Sequence, residues 1–197
     1  MEASAFYDRT YFDGPGKSNY QQYSIDSSPF ALQANAIVRL MDYYELHGPV
    51  LDVGCAKGYL VYVLRQRGIR AFGVDWSAYA LNSASPDARP FLQRASATRL
   101  PFPDKRFALV TSFDMLEHLD ENNARLALED CARVSDQQLH QVNTGRLAEW
   151  AYEGDESHCL RYSLAQWQKL AGTLGLDRTL LCEPDRRLPF LETVSDR

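Results

Sequence analysis

The residues best suited to chemistry fall in two short stretches, Pro49-Val50-Leu51-Asp52-Val53-Gly54-Cys55-Ala56-Lys57-Gly58-Tyr59 and Gly73-Val74-Asp75-Trp76. In the first, an apolar run ends near Asp52 and breaks into a turn of small residues before an amphipathic segment restarts. That is the pattern of a strand, a tight loop and a helix that receives a nucleotide-like ligand. Gly54 and Gly58 carry no side chain to block close approach of a ligand to the backbone, and they can adopt dihedrals closed to other residues. The second run ends in an acid, at the offset where such folds present a carboxylate to ribose hydroxyls. The dinucleotide fingerprint G-x-G-x-x-G is not matched, because Ala56 fills its middle place and no third glycine follows at the right step; NAD and FAD are disfavoured. Asp52 would repel a pyrophosphate and attract an ammonium or sulfonium group. The ligand expected is a cationic nucleoside.

The elements that must hold these residues follow from periodicity. Residues 1–28 are rich in Tyr, Phe, Asp, Ser and Gly without a regular period, and read as an arm, with Asn19, Tyr20 and Tyr23 the expected lid over the site. Ser28 and Pro29 form a helix start, Ile37, Leu40, Met41 and Tyr44 share one face, and Gly48-Pro49 ends that helix. From Val50 apolar runs alternate with helical patterns, the rhythm of parallel βαβ units, so helices should cover both faces of one open sheet with the ligand crevice at the carboxyl ends of its strands. Ser163 and Gln166 have capping-box spacing ahead of a helix carrying Trp167, Leu170, Ala171 and Leu174 and closed by Gly175. Two last runs, Thr179 to Cys182 and Pro189 to Val194, read as a closing hairpin. The expectation is a doubly wound α/β sheet of seven mostly parallel strands with an antiparallel C-terminal strand, in one domain over 1–197: arm and helix over 1–48, cofactor-binding core over 49–197.

Composition narrows the function further. A chain of 197 residues with a net charge of -5 has no general affinity for phosphate backbones, so nucleic acid is not an expected partner. No apolar run reaches the roughly 20 residues needed to cross a bilayer, and the opening Met1-Glu2-Ala3-Ser4 has neither signal nor transit character. Cys55, Cys131, Cys159 and Cys182 stand singly, without zinc or redox spacing, as reduced thiols would in the cytoplasm.

Four motifs in order, Val50-Leu51-Asp52-Val53-Gly54-Cys55-Ala56-Lys57-Gly58, Gly73-Val74-Asp75, Leu100-Pro101-Phe102-Pro103-Asp104 with Phe107, and Met115-Leu116-Glu117-His118-Leu119, resemble the class I S-adenosylmethionine-dependent methyltransferases from about Val50 to Leu174. The resemblance implies S-adenosylmethionine as cofactor and S-adenosylhomocysteine as product. It implies that Asp52, Gly54, Cys55, Ala56 and Gly58 line the methionine and ribose part, that Asp75 takes the ribose hydroxyls, and that Trp76 lies along the adenine. Ser96 and Ala97 stand where the family has an acid and a small residue at the adenine edge, with Ser96 replacing the acid. Phe113 would offer its backbone to the cofactor's amino group. Val134-Ser135-Asp136-Gln137 replaces the Lys-Pro-Gly-Gly turn that often precedes the fifth strand.

A sulfonium methyl is already electrophilic, so alignment in a dry pocket supplies most of the rate, and a hydroxyl acceptor gains from a general base. His158, in the connection from which such enzymes draw acceptor contacts, is the expected base, and His118 is the other candidate. Asp114, Glu117 and His118 also have the spacing of quinone-forming O-methyltransferases that bind a divalent cation, but relatives with Leu-Glu-His without metal are many, and no metal is expected. Trp150, Tyr152, Asp155, Glu156 and Arg161 would give polar and aromatic walls to an acceptor such as a small polar metabolite, sugar or glycan. Hydroxyl transfer leads and amine transfer follows; the alternative is a catalytically silent S-adenosylmethionine-binding protein that acts through a partner.

Overall fold

The computed structural model describes residues 6–14, 17–18, 23–26, 30–144 and 157–183. Its elements are α1 (Arg9–Asp13), α2 (Phe30–Tyr43), β1 (Val50–Val53), α3 (Tyr59–Gln66), β2 (Ala71–Asp75), α4 (Ala78–Asn82), β3 (Leu92–Arg94), β4 (Leu109–Phe113), α5 (Glu121–Val134), β5 (Gln138–Gln141), α6 (Leu164–Thr173) and β6 (Thr179–Cys182). The strands form one sheet in the order β3-β2-β1-β4-β5-β6. Every pairing is parallel.

Strand β1 explains the layering. All four of its residues are buried, as a central parallel strand covered on both faces requires. Val50 packs with Ile37, Leu40, Val61 and Leu64 from α2 and α3, whereas Leu51 and Val53 pack with Val110, Cys131 and Val134 on the opposite face. A third cluster joins Leu116, Leu128 and Trp167 near α5 and α6. Because side chains alternate across a strand, Asp52 faces the side of Val50. The strand order reverses between β1 and β4, so a crevice opens beyond their carboxyl ends.

Helix signals read from sequence are realised in the caps. Ser163 and Gln166 close a reciprocal capping box on α6, and Ser77 caps α4 through the Ala80 N–H. The Leu100–Asp104 loop is pinned from α5 by Arg133, whose guanidinium donates to the Leu100 and Phe102 carbonyls and to Asp104 and Asp130. Six strands are described where the sequence suggests seven. Thr179–Cys182 joins β5 in parallel register, and the run expected to turn back as the antiparallel strand, Pro189 to Val194, lies outside the described residues. So do Ser28, Pro29, Asn19, Tyr20, Trp150, Tyr152, Asp155 and Glu156. Among the described residues no helix is long and apolar enough to cross a membrane.

Candidate active site

The β1–α3 loop is shaped by steric necessity. Gly54 and Gly58 take φ of +81° and +72°, and a Cβ on either would meet Met115 Cγ at 2.5 Å or Leu92 Cδ1 at 2.6 Å. Between them Ala56 adopts φ +49°, a left-handed conformation that costs an alanine roughly 1 kcal/mol. Asp75 supports that conformation. Its Oδ2 accepts from the Ala56 N–H at 2.7 Å while its Oδ1 accepts from the Ser77 N–H at 2.7 Å, so one carboxylate ties the loop after β1 to the end of β2. Gly73 on β2 makes room for Cys55, since a Cβ there would fall 2.7 Å from its Sγ.

Asp52, Gly54, Cys55 and Phe113 line one pocket, together with Tyr23 from the arm, Phe30, Gln33, Leu60 and Asp114. Asp52 is buried at its floor, where its Oδ1 accepts from the Thr111 hydroxyl at 3.2 Å. Burial, with the negative charge of Asp75 nearby, pushes its carboxyl up to about 7 despite that hydrogen bond. Burial also raises Asp114 to about 6, against the donation of Gln141, and raises the Cys55 thiol. Two buried carboxyls lining one pocket are stabilised in their charged form by a cation.

Other expected residues lie further out. Trp76 is 43% exposed, its ring under the Arg94 guanidinium at 5.8 Å. Ser96 shares a hydrogen bond with Thr98 at 2.8 Å, and the partly buried Ala97 packs beside Met115. His158 does not line the Asp52 pocket; its ring stands 4.6 Å from that of His118, whose Nδ1 is hydrogen-bonded to the Ser157 hydroxyl at 2.7 Å.

Lys57 is a structural participant that its sequence context does not single out. Its side chain is 7% exposed, and Nζ reaches Asp13 Oδ1 at 2.6 Å and donates to the Tyr23 carbonyl at 3.0 Å. Asp13 accepts in addition from the Tyr79 hydroxyl, and Ser77 donates to the Tyr7 carbonyl at 2.5 Å. Burial alone would raise the Asp13 carboxyl, but Lys57 and Tyr79 hold it below the ordinary range. The arm is thereby fastened to both loops that shape the site. Only the sequence distance between 13 and 57 conceals this pair.

The residues gathered at these strand ends have the chemistry that a cationic nucleoside would need: a buried carboxylate, a loop whose glycines allow no side chain, and a second carboxylate at the next strand end. Residues 51–138 match a family model described as a methyltransferase domain. An S-adenosylmethionine-dependent methyltransferase from Archaeoglobus fulgidus shares the fold at a TM-score of 0.60 and 20% identity, over 74% of this chain and 68% of its own. A Pyrococcus horikoshii protein aligns at a TM-score of 0.54 and 22% identity, over 74% of this chain and 68% of its own. The YcgJ protein of Bacillus subtilis does so at 0.54 and 22%, over 70% and 67%. No curated protein matches the sequence. Residues 51–138 are thus similar to a methyltransferase domain, and the sheet order and strand-end site give the chain the fold of S-adenosylmethionine-dependent methyltransferases of known structure.

Proposed function

We propose that this protein is an S-adenosylmethionine-dependent methyltransferase that acts in the cytoplasm on a hydroxyl of a small polar metabolite, sugar or glycan, with an amine the next choice of acceptor. The observation that carries the acceptor class is the pairing of an aromatic, polar wall with imidazoles at the same strand ends. Tyr23 and Phe30 wall the pocket beside Asp52 and Asp114, and His118 and His158 stand just after β4 and before α6. Four free thiols among the described residues suit a reducing compartment.

When bound, S-adenosylmethionine supplies a sulfonium-activated methyl group. Asp52 balances the cofactor's positive charge, and Gly54, Cys55, Ala56 and Gly58 let the backbone approach its methionine and ribose part. Asp75 accepts from the ribose hydroxyls with the lone pairs its two backbone bonds leave, Trp76 covers the adenine from the rim, Ser96 and Ala97 meet the adenine edge, and the Phe113 carbonyl accepts from the ammonium. His158 activates the acceptor hydroxyl. Support for the cofactor roles lies in the raised carboxyl of Asp52 and in the shared loop that Asp75 holds.

Calorimetric titration with S-adenosylmethionine, S-adenosylhomocysteine and NADH, after removal of copurified ligand, is the first test. Saturable binding of the two sulfur nucleosides and none of NADH is expected. A labelled-methyl screen over sugars, other polyols, phenols and amines then tests the acceptor. Methylation confined to amines would overturn the hydroxyl reading, and tight cofactor binding without any turnover would favour action through a partner.

A further inference from the structure

We infer that Glu117, His118 and His158 form a binding site for one divalent transition ion of the zinc class, set at the acceptor side of the methyl-transfer site. One donor atom from each residue lies within 4.8 Å of the others. Zinc bonds of about 2.0–2.1 Å separate ligand atoms by roughly 3–3.5 Å, so small side-chain rotations would close the set.

The frame around these donors is already fixed. Glu117 and His118 belong to a single 3-10 turn, Leu116–His118, immediately after β4. The N–H groups of Cys159 and Leu160 both donate to the Glu117 carbonyl, at 2.9 and 3.0 Å, and this clamps the segment bearing His158 against that turn. The Asn143 N–H donates to Glu117 Oε1 at 2.9 Å and orients a fully buried carboxylate. Coordination by His118 through Nε2 would keep its Nδ1 bond to the Ser157 hydroxyl, the outer-shell arrangement that fixes metal-binding histidines.

The donor chemistry discriminates between ions. Two imidazoles and one carboxylate suit zinc, cobalt, iron or nickel, whereas magnesium and calcium prefer oxygen. Asp114 stands apart from the trio, its carboxylate accepting from Gln141 Nε2 at 3.2 and 3.3 Å. The assembled site therefore departs both from the metal-free expectation and from the Asp114, Glu117 and His118 spacing seen in the sequence. Three protein ligands leave a position open for an acceptor hydroxyl, whose pKa the ion lowers so that its proton passes to water; with the ion bound, His158 activates the acceptor through the ion and not as a free base. That last role rests on the hydroxyl-acceptor reading; ion binding does not.

The test uses the full chain, stripped with chelator and titrated with Co²⁺, Zn²⁺ and Mg²⁺, with Co²⁺ followed by its visible absorption. One Co²⁺ per chain, displaced by Zn²⁺ and not by Mg²⁺, is expected. His118→Asn and His158→Asn, checked for native circular dichroism, should each weaken it about tenfold or more, and Asp114→Asn should not. Absence of a stoichiometric Co²⁺ spectrum, affinity unchanged in both folded histidine variants, or Mg²⁺ binding governed by Asp114 would overturn the inference. Full methyl transfer by the stripped protein would sink the ion's catalytic role while the methyltransferase reading stood. A cobalt site behaving as expected in a protein that methylates only amines would support the metal site and defeat the hydroxyl reading instead.

Discussion

At the residue scale the decisive group is Asp52, a carboxyl buried beneath the ligand loop and raised to about 7. The folded chain binds this proton more tightly than the unfolded chain, so Asp52 detracts from stability increasingly as pH rises from about 4 to about 7. Asp52→Asn should therefore raise the melting temperature above pH 7, with little gain near pH 4, in scans across that range. In its proposed role Asp52 balances a cationic cofactor, and on that role S-adenosylmethionine affinity should climb through pH 7 in the parent chain. In Asp52→Asn, affinity should be weaker by on the order of tenfold and flat with pH, as calorimetry would read. Asp114, raised to about 6, adds to the slope below neutrality. The loop offers a second check at this scale. Gly54→Ala must strain a left-handed backbone and displace Met115, and should cost about 2 kcal/mol in urea unfolding; Ala56→Gly should be neutral or stabilising by less than about 1 kcal/mol.

Elements fix where those residues act, and two contacts test them. The Lys57–Asp13 pair at 2.6 Å and the Lys57 bond to the Tyr23 carbonyl tie α1 and the Tyr23 backbone to the β1–α3 loop. Lys57→Met leaves Asp13 partly buried without its cation and should destabilise by up to about 3 kcal/mol. It should also speed hydrogen exchange in residues 9–13 relative to β1, measured by mass spectrometry; unchanged exchange there would separate the arm from the loop. At the other end of the fold, Ser163→Ala removes the capping box of α6 and should cost about 1 kcal/mol without altering cofactor affinity.

For the whole molecule, the parallel order 3-2-1-4-5-6 brings Asp52, Asp75 and Phe113 to the carboxyl edge of adjacent strands although 61 positions separate the first from the last. A ligand bound there stabilises the entire fold by mass action. At 100 times its dissociation constant, S-adenosylhomocysteine should add about 2.7 kcal/mol, a rise in melting temperature of roughly 5–10 °C for a chain of this size. NADH should add nothing, and differential scanning fluorimetry distinguishes the two.

Much of this was legible from local pattern. The apolar run through Val53, the small-residue turn after it, the acid closing β2 and the Ser163 capping box are short-range signals, and the backbone obeys short-range sterics and hydrogen bonding there. The expectation of a cationic nucleoside was readable for the same reason: the carboxylates at 52 and 75 lie at strand ends, and the glycines at 54 and 58 bound the loop between β1 and α3. What the sequence could not decide were contacts between distant positions. Lys57 finding Asp13, Glu117 and His118 meeting His158, Asp75 holding Ala56 and β6 pairing in parallel with β5 all depend on crossovers that bring remote segments together. Local pattern carries no information on those distances, because only sheet order and packing against a common core set them.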